Sequence, residues 1–388
     1  MSYLNVNQIQ TAGNLPSFTT GANTINFGTQ SIGASSASTM KNRIINGAMV
    51  INQRGFNSTL ASTGATYTLD RWIGYNRLAS SAYSVSQNAG SVTPPPGYIN
   101  YLGVTSVAAT TINAGDIYYI SQFIEGLNTA DLAWGTANAK TVTISFWVYS
   151  SLTGSFGGSL QNSGSSRSYP FSYTINSANT WQQISVTIPG DTTGTWLTTN
   201  GVGVQLTFSL GTGSSFVGTG GAWTGANNIF MPSGSVQLLN TNGATWYITG
   251  VQLEVGTVAT QFEYRQYGAE LALCQRYYFR RNSSSSQDII ANMQAYSTTA
   301  VFGKLFDFPV QMRTTPTSSY SNIGHLSGWN SSGGSAQAFT TNTGITADTN
   351  GIYAISGLVT GSSFFTSGAC AAVQFNTTSG WIDASAEL

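Results

Sequence analysis

Residues 246–278 read WYITGVQLEVGTVATQFEYRQYGAELALCQRYY, and their reading decides the fold. Val251, Leu253 and Val255 alternate with Gln252 and Glu254, the period of two that marks a strand with one buried face. Ile248 falls out of step with that alternation, and Gly250 stands at the slip. A glycine there predicts a β-bulge. The stretch then becomes GAELALC, an Ala/Leu-rich turn of helix in a chain with almost no other helical sequence. A lone helix in such a place is expected to join two β domains.

The same alternation extends on both sides. In TVTISFWVYS (141–150), Val142, Ile144, Phe146 and Val148 alternate with Thr143, Ser145 and Trp147. In GVQLTFSL (203–210), Val204, Leu206, Phe208 and Leu210 alternate with Gln205, Thr207 and Ser209. Many short strands separated by Gly/Ser/Asn loops imply an all-β chain with a jelly-roll β-sandwich over residues 41–268. Strand signals resume in AVFGKLFDFPVQM, GIYAISGLV and AAVQFNTTSGWI. They define a smaller C-terminal β-sandwich domain, 269–388, opened by the short helix. Residues 1–40 hold apolar spots at Leu4, Val6, Ile9, Phe18, Ile25 and Phe27, too few to form a core. They are expected to form an extended docking arm that orders against a partner.

Lys plus Arg number 13, Asp plus Glu number 13, and charged residues make up only 7% of the 388. A near-neutral surface has little long-range field, which disfavours nucleic acid and anionic membranes as partners. Aromatics at 12% require burial or a partner. The start, MSYLNVNQIQ, lacks the pattern of a signal peptide, and no apolar run has membrane-spanning length, so synthesis in a cytoplasm without ordinary secretion is expected. Cys274 and Cys370 read as buried small hydrophobes rather than a disulfide.

Catalytic chemistry finds little support. The single histidine, His325, has no recognisable triad around it and cannot build a zinc site with two distant cysteines. Asp116, Glu125 and Asp131, with Asp70 and Glu254, are the carboxylates that polysaccharide cleavage would need, but no rung repeat of a cleaving β-helix is present. They read as hydrogen-bonding carboxylates, and no enzyme is expected. The glycine-rich runs SLTGSFGGSLQNSGSS and GTGSSFVGTGGAWTG read as loops, not as a phosphate cradle. Trp196, Trp223, Trp329 and Trp381 stand in loop-like polar contexts and are the glycan-binding candidates, since an aromatic ring stacks on the C–H face of a sugar. The competing reading of each is a ring that buries itself to pin its loop.

Several long motifs in order carry a family resemblance. They are NRIINGAMVINQRG, YTLDRW, QFIEGLNTADLAWGTANAKTVTISFWVYSSLTGSF, IPGDTTGTWLTTNG and ITGVQLEVGTVATQFEYRQYGAELALCQRYY. Together, over about 41–281, they resemble a module common in tailed-bacteriophage fibre and virion-surface proteins, with a sandwich similar to jelly-roll carbohydrate-binding modules. VQMRTTPT (310–317) resembles the short C-terminal β domain that often follows. The resemblance implies a homotrimeric virion component, attached to other tail or capsid proteins and exposed on the particle. It implies a tail fibre or spike that binds a host surface glycan. A head fibre or capsid-decoration protein and a polysaccharide depolymerase are the alternatives. Modules of this kind often carry structural Ca²⁺, for which Asp70 and Glu254 are the candidates, with Glu254 expected at solvent or a sheet edge. The arm matches nothing in the family and leaves the docking partner open.

Overall fold

The bulge at Gly250 is present and organises the larger domain. In the computed structural model the described residues are 18–21, 24–27, 30–33, 40–61, 63–77, 82–226, 228–295, 297–330, 336–339, 341–342, 345–347, 351–358 and 364–388. Leu4, Val6 and Ile9 lie outside them. Phe18, Ile25 and Phe27 lie in a three-stranded antiparallel meander of β1 (Phe18–Gly21), β2 (Thr24–Phe27) and β3 (Gln30–Gly33). The expected arm therefore contains a sheet of its own, with Phe18 opposite Phe27 and Ile25 opposite Ile32.

The sandwich follows. Its strands are β4 (Asn57–Thr59), β5 (Gly64–Tyr67), β6 (Ile73–Asn76), β7 (Tyr83–Gln87), β8 (Leu102–Ser106) and β9 (Ile117–Glu125). Next come β10 (Val142–Ser150), β11 (Gly154–Gln161), β12 (Ser168–Ile175), β13 (Gln182–Ile188) and β14 (Val202–Thr212). A two-residue parallel pair, β15 (Val217–Gly218) and β16 (Met231–Pro232), precedes the long β17 (Thr245–Val255). Two six-stranded antiparallel sheets result, ordered β13-β10-β17-β8-β7-β4 and β12-β11-β14-β9-β6-β5. Successive strands pass repeatedly from one sheet to the other, which is the jelly-roll pattern. The apolar sides of the alternating segments meet between the sheets, where Ile144, Phe146, Val148, Leu206, Phe208, Trp246, Ile248, Val251 and Leu253 are all buried.

On β10 and β17, Ser145 faces Gln252 and Trp147 faces Thr249, so two residues of β17 oppose Phe146 alone. Gly250 takes the left-handed backbone, with φ of 62°. The slip lets Ile248 and Val251 both point into the core, which a regular strand forbids. The Val251 backbone is paired outside its own sheet. Its N–H donates to Gly47 O at 2.9 Å, and its carbonyl accepts from Asn42 Nδ2 at 3.1 Å. A Cβ on Gly47 would stand 2.1 Å from Val251 O. Gly47→Ala is therefore expected to lower stability by about 1–3 kcal/mol, because backbone rather than a flexible side chain must yield. Urea denaturation checks this, and an unchanged midpoint would remove the argument.

One expected loop is a strand. Gly154–Gln161 forms β11, and its glycines reflect close packing rather than freedom. A Cβ on Gly157 would meet Met231 and Pro232, and one on Gly158 would meet Thr207 O and the Phe171 ring. Another correction concerns Cys370, which is exposed, whereas Cys274 is buried and both are free.

Helix α1 (Tyr267–Gln275) joins the two β units. Its inner side packs Cys274, Leu271 and Leu273 with Ile45, Ile51, Tyr277 and Leu388. Beyond it run β18 (Tyr278–Asn282), β19 (Asp288–Ala295), β20 (Ala300–Asp307), β21 (Thr317–Tyr320), β22 (Leu326–Asn330) and β23 (Gln337–Ala338). Then come β24 (Thr341–Asn342), β25 (Ile345–Ala347), β26 (Gly351–Leu358), β27 (Cys370–Phe375) and β28 (Trp381–Ser385). A three-stranded sheet β18-β28-β21 and an eight-stranded sheet enclose Met293, Leu305, Phe308, Leu326, Phe365 and Phe375.

The last residues return to the first domain. Glu387 pairs with both Arg54 and Arg71. Arg71 is fully buried, with its guanidinium 3.6 Å from the centre of the Tyr277 ring and a hydrogen bond to Phe123 O. Tyr67 Oη donates to Leu388 O, and Arg313 donates to Ala386 O and Glu387 O.

Candidate functional site

The four expected tryptophans fall into two groups. Trp196 and Trp223 come together with Trp134 in mutually perpendicular ring pairs, with centroids 4.7–5.4 Å apart. Both are half-buried against the core. Trp196 Nε1 donates to Thr193 O and Trp223 Nε1 to Pro189 O, so each indole pins its loop. Trp329 and Trp381 lie on strands β22 and β28, not in loops. Trp329 Nε1 is buried without a partner, and Arg280 covers the Trp381 ring at 4.3 Å.

Trp147 sits on β10, on the outer face of the first sheet, because its neighbours Phe146 and Val148 point into the core. Gln183 flanks it on β13 and Thr249 on β17. Trp147 is partly buried, and among the described residues its indole N–H has no protein acceptor. The indole N–H groups of Trp134, Trp181, Trp196 and Trp223 all donate to backbone carbonyls.

Around Trp147 the outer face forms a trough. At one end, Tyr149 stacks on Tyr247 with centroids 5.2 Å apart, and Trp181 packs against Tyr149 at 5.5 Å. The segment between β7 and β8 walls this end. Trp181 Nε1 donates to Thr93 O, Tyr101 Oη to Ala89 O, and Thr249 Oγ1 to Asn100 O. Pro94, Pro95 and Pro96 follow Thr93 and stiffen the wall. Burial beneath it raises the Tyr101 and Tyr247 phenols above their ordinary range. At the other end, residues 256–261 cross the sheet, with Thr143 Oγ1 donating to Gly256 O and Thr187 Oγ1 to Thr257 O. A recess of about 370 Å³ there is lined by Gln183, Ile184, Ser185, Ala259, Thr260 and Gln261. A ring edged by amide and hydroxyl groups can stack a pyranose and hydrogen-bond its hydroxyls. On the second sheet the corresponding outer face is occupied, since Phe230 stacks on Tyr119 at 5.2 Å and Gln161 Nε2 donates to Ile229 O.

The carboxylates have protein partners. Asp116 accepts from Asn113 N and Nδ2. Asp131 pairs with Arg43. Glu125 takes a two-pronged pair from Arg276 and a hydrogen bond from Tyr277 Oη. Burial pushes its pKa up, but those donors outweigh it and hold it below the usual range. Asp70 accepts from Gln53 N and Nε2, and burial raises its pKa. Glu254 is buried rather than at solvent or an edge, with its oxygens taken by Gln252 Nε2, Thr260 N and Thr260 Oγ1. The described residues contain no cluster of three or more potential metal ligands. His325 Nδ1 lies 2.8 Å from Ser321 Oγ.

No family model matches the chain, and no curated protein matches it. Among solved structures it is similar to the enzymatically active domain of tailspike protein 4 of bacteriophage CBA120, at 10% identity and a TM-score of 0.29. That match covers 56% of this chain and 22% of the other. A family 11 carbohydrate-binding module from Clostridium thermocellum, in complex with a mixed-linked tetrasaccharide, matches at 13% identity and a TM-score of 0.26. It covers 51% of this chain and 99% of the module. The CBM22-1 xylan-binding domain from Paenibacillus barcinonensis matches at 11% identity and a TM-score of 0.24, covering 53% and 95%.

Proposed function

We propose that the protein is a non-enzymatic structural component of a tailed-bacteriophage particle that binds a host surface glycan through the Trp147 trough. The single observation behind the binding reading is a partly buried indole with an unused N–H on the outer face of a strand, beside Gln, Ser and Thr. The carboxylates Asp116, Glu125 and Asp131 have no free role in this reading, because each is engaged by protein donors. The virion placement rests on the ordered motifs of residues 41–281, and the trough supplies its adhesive surface. Repeated copies on one particle would turn weak sites into avid attachment.

Trp147→Ala is expected to reduce binding to host surface polysaccharide by roughly 30-fold, the scale of a central aromatic anchor at about 2 kcal/mol. Trp196→Ala should leave that affinity within about twofold, because its ring pins a loop. Equal losses in both variants would move the site to the Trp196–Trp223 cluster. Antibody labelling of particles tests the virion placement, and particles free of the protein would overturn it.

A further inference from the structure

We infer, on the basis of the proposed trough, that the glycan it takes is an uncharged one. Neither the residues that line the recess, Gln183, Ser185 and Gln261 among them, nor the aromatics Trp147, Tyr149 and Trp181 beyond it carry a charge. The carboxylate under this face, Glu254, is buried, and its oxygens accept from Gln252 and Thr260. The described cation that reaches the rim is Lys41, whose ammonium donates to Gln261 O. Glu263, beyond the same segment, is engaged by Asn42 N and Arg265.

A uronic or sialic acid placed on this surface would give up water from its carboxylate and find no guanidinium aimed at it. That loss is costly unless a charge or several donors replace the solvent. A neutral sugar loses less. Its hydroxyls meet the Gln183 amide, the Ser185 hydroxyl and the free indole N–H, and its C–H face meets the ring. Selection here is by omission: no cation lines the recess, and the Lys41 ammonium at its rim donates to Gln261 O. Binding without ion pairs should also be insensitive to salt, since screening acts on charge pairs.

The test uses the full chain with neutral glucan, galactan and mannan, each before and after oxidation of the C6 hydroxyls to carboxylates. Oxidation leaves the backbone linkage alone and changes only the charge. For the neutral polymer that binds, oxidation is expected to weaken binding at least about tenfold. Raising salt from about 0.05 to about 0.5 M should change its affinity by less than about twofold. Trp147→Ala should weaken that binding roughly 30-fold. An oxidised polymer that binds as tightly as its parent, or more tightly, and still needs Trp147 would overturn the neutral-sugar inference and leave the trough reading standing. Loss of that acidic binding in Lys41→Met would then identify the cation responsible. Polymers that bind equally well to Trp147→Ala, or do not bind at all, would remove the trough reading and the inference together.

Discussion

Glu387→Ala is expected to cost about 3–5 kcal/mol of stability, the range for removing one partner of a buried ion pair. The Arg71 side chain is 1% exposed, so loss of Glu387 strands its charge where water cannot reach. Phe123 O and the Tyr277 ring remain beside it, but neither carries a full negative charge. Arg54 also loses its partner, though its guanidinium keeps its place 3.5 Å from the centre of the Tyr278 ring. Glu387→Gln keeps the shape and an acceptor and should cost less. The double variant Arg71→Met with Glu387→Leu should recover much of the loss, since apolar groups of similar volume can replace a buried pair. Denaturant titration of the three variants checks the order. Alanine and wild type melting together would show that the clasp does not hold the two domains.

Trp246→Ala should cost a similar amount, about 3–5 kcal/mol, by a different route. Its ring is fully buried between the sheets and packs 5.6 Å from the Phe208 centroid. Its Nε1 donates to Tyr173 Oη at 2.9 Å. Truncation opens a cavity at the centre of the sandwich and leaves a buried phenol short of a partner. Trp246→Phe keeps most of the volume and isolates the hydrogen bond, worth about 1 kcal/mol. The check is the urea midpoint, with an unchanged slope showing that only the native state was affected. A loss below that of Trp246→Phe would contradict the packing argument.

The architecture was legible wherever local pattern carried it. The alternations in 141–150 and 203–210 became β10 and β14, and the out-of-step Gly250 became a bulge. GAELALC became the helix between two β units. Tight packing was not legible from composition, which is why β11 passed for a loop. Its glycines answer to Met231, Pro232 and Phe171, all far away in sequence. Glu254 was misplaced for the same reason, because the segment that buries it folds back from residue 260. The expected glycan-binding tryptophans were sought in loops. Trp147, on which the proposed site rests, is the large aromatic on the polar side of TVTISFWVYS. Nothing local announced the Arg71–Glu387 pair, whose partners stand 316 residues apart.

That separation has a consequence in time. The sandwich strands have all been made by Val255, yet Arg71 meets its carboxylate only once residue 387 has left the ribosome. At about 5–20 residues per second, the wait of the finished sandwich is roughly 7 to 26 seconds. During it the first domain must hold the Arg71 guanidinium in water, with the surface that α1 and residues 386–388 cover still open. The junction therefore closes after the sandwich is complete, and a nascent chain interrupted before residue 387 would present that unfinished face to its neighbours.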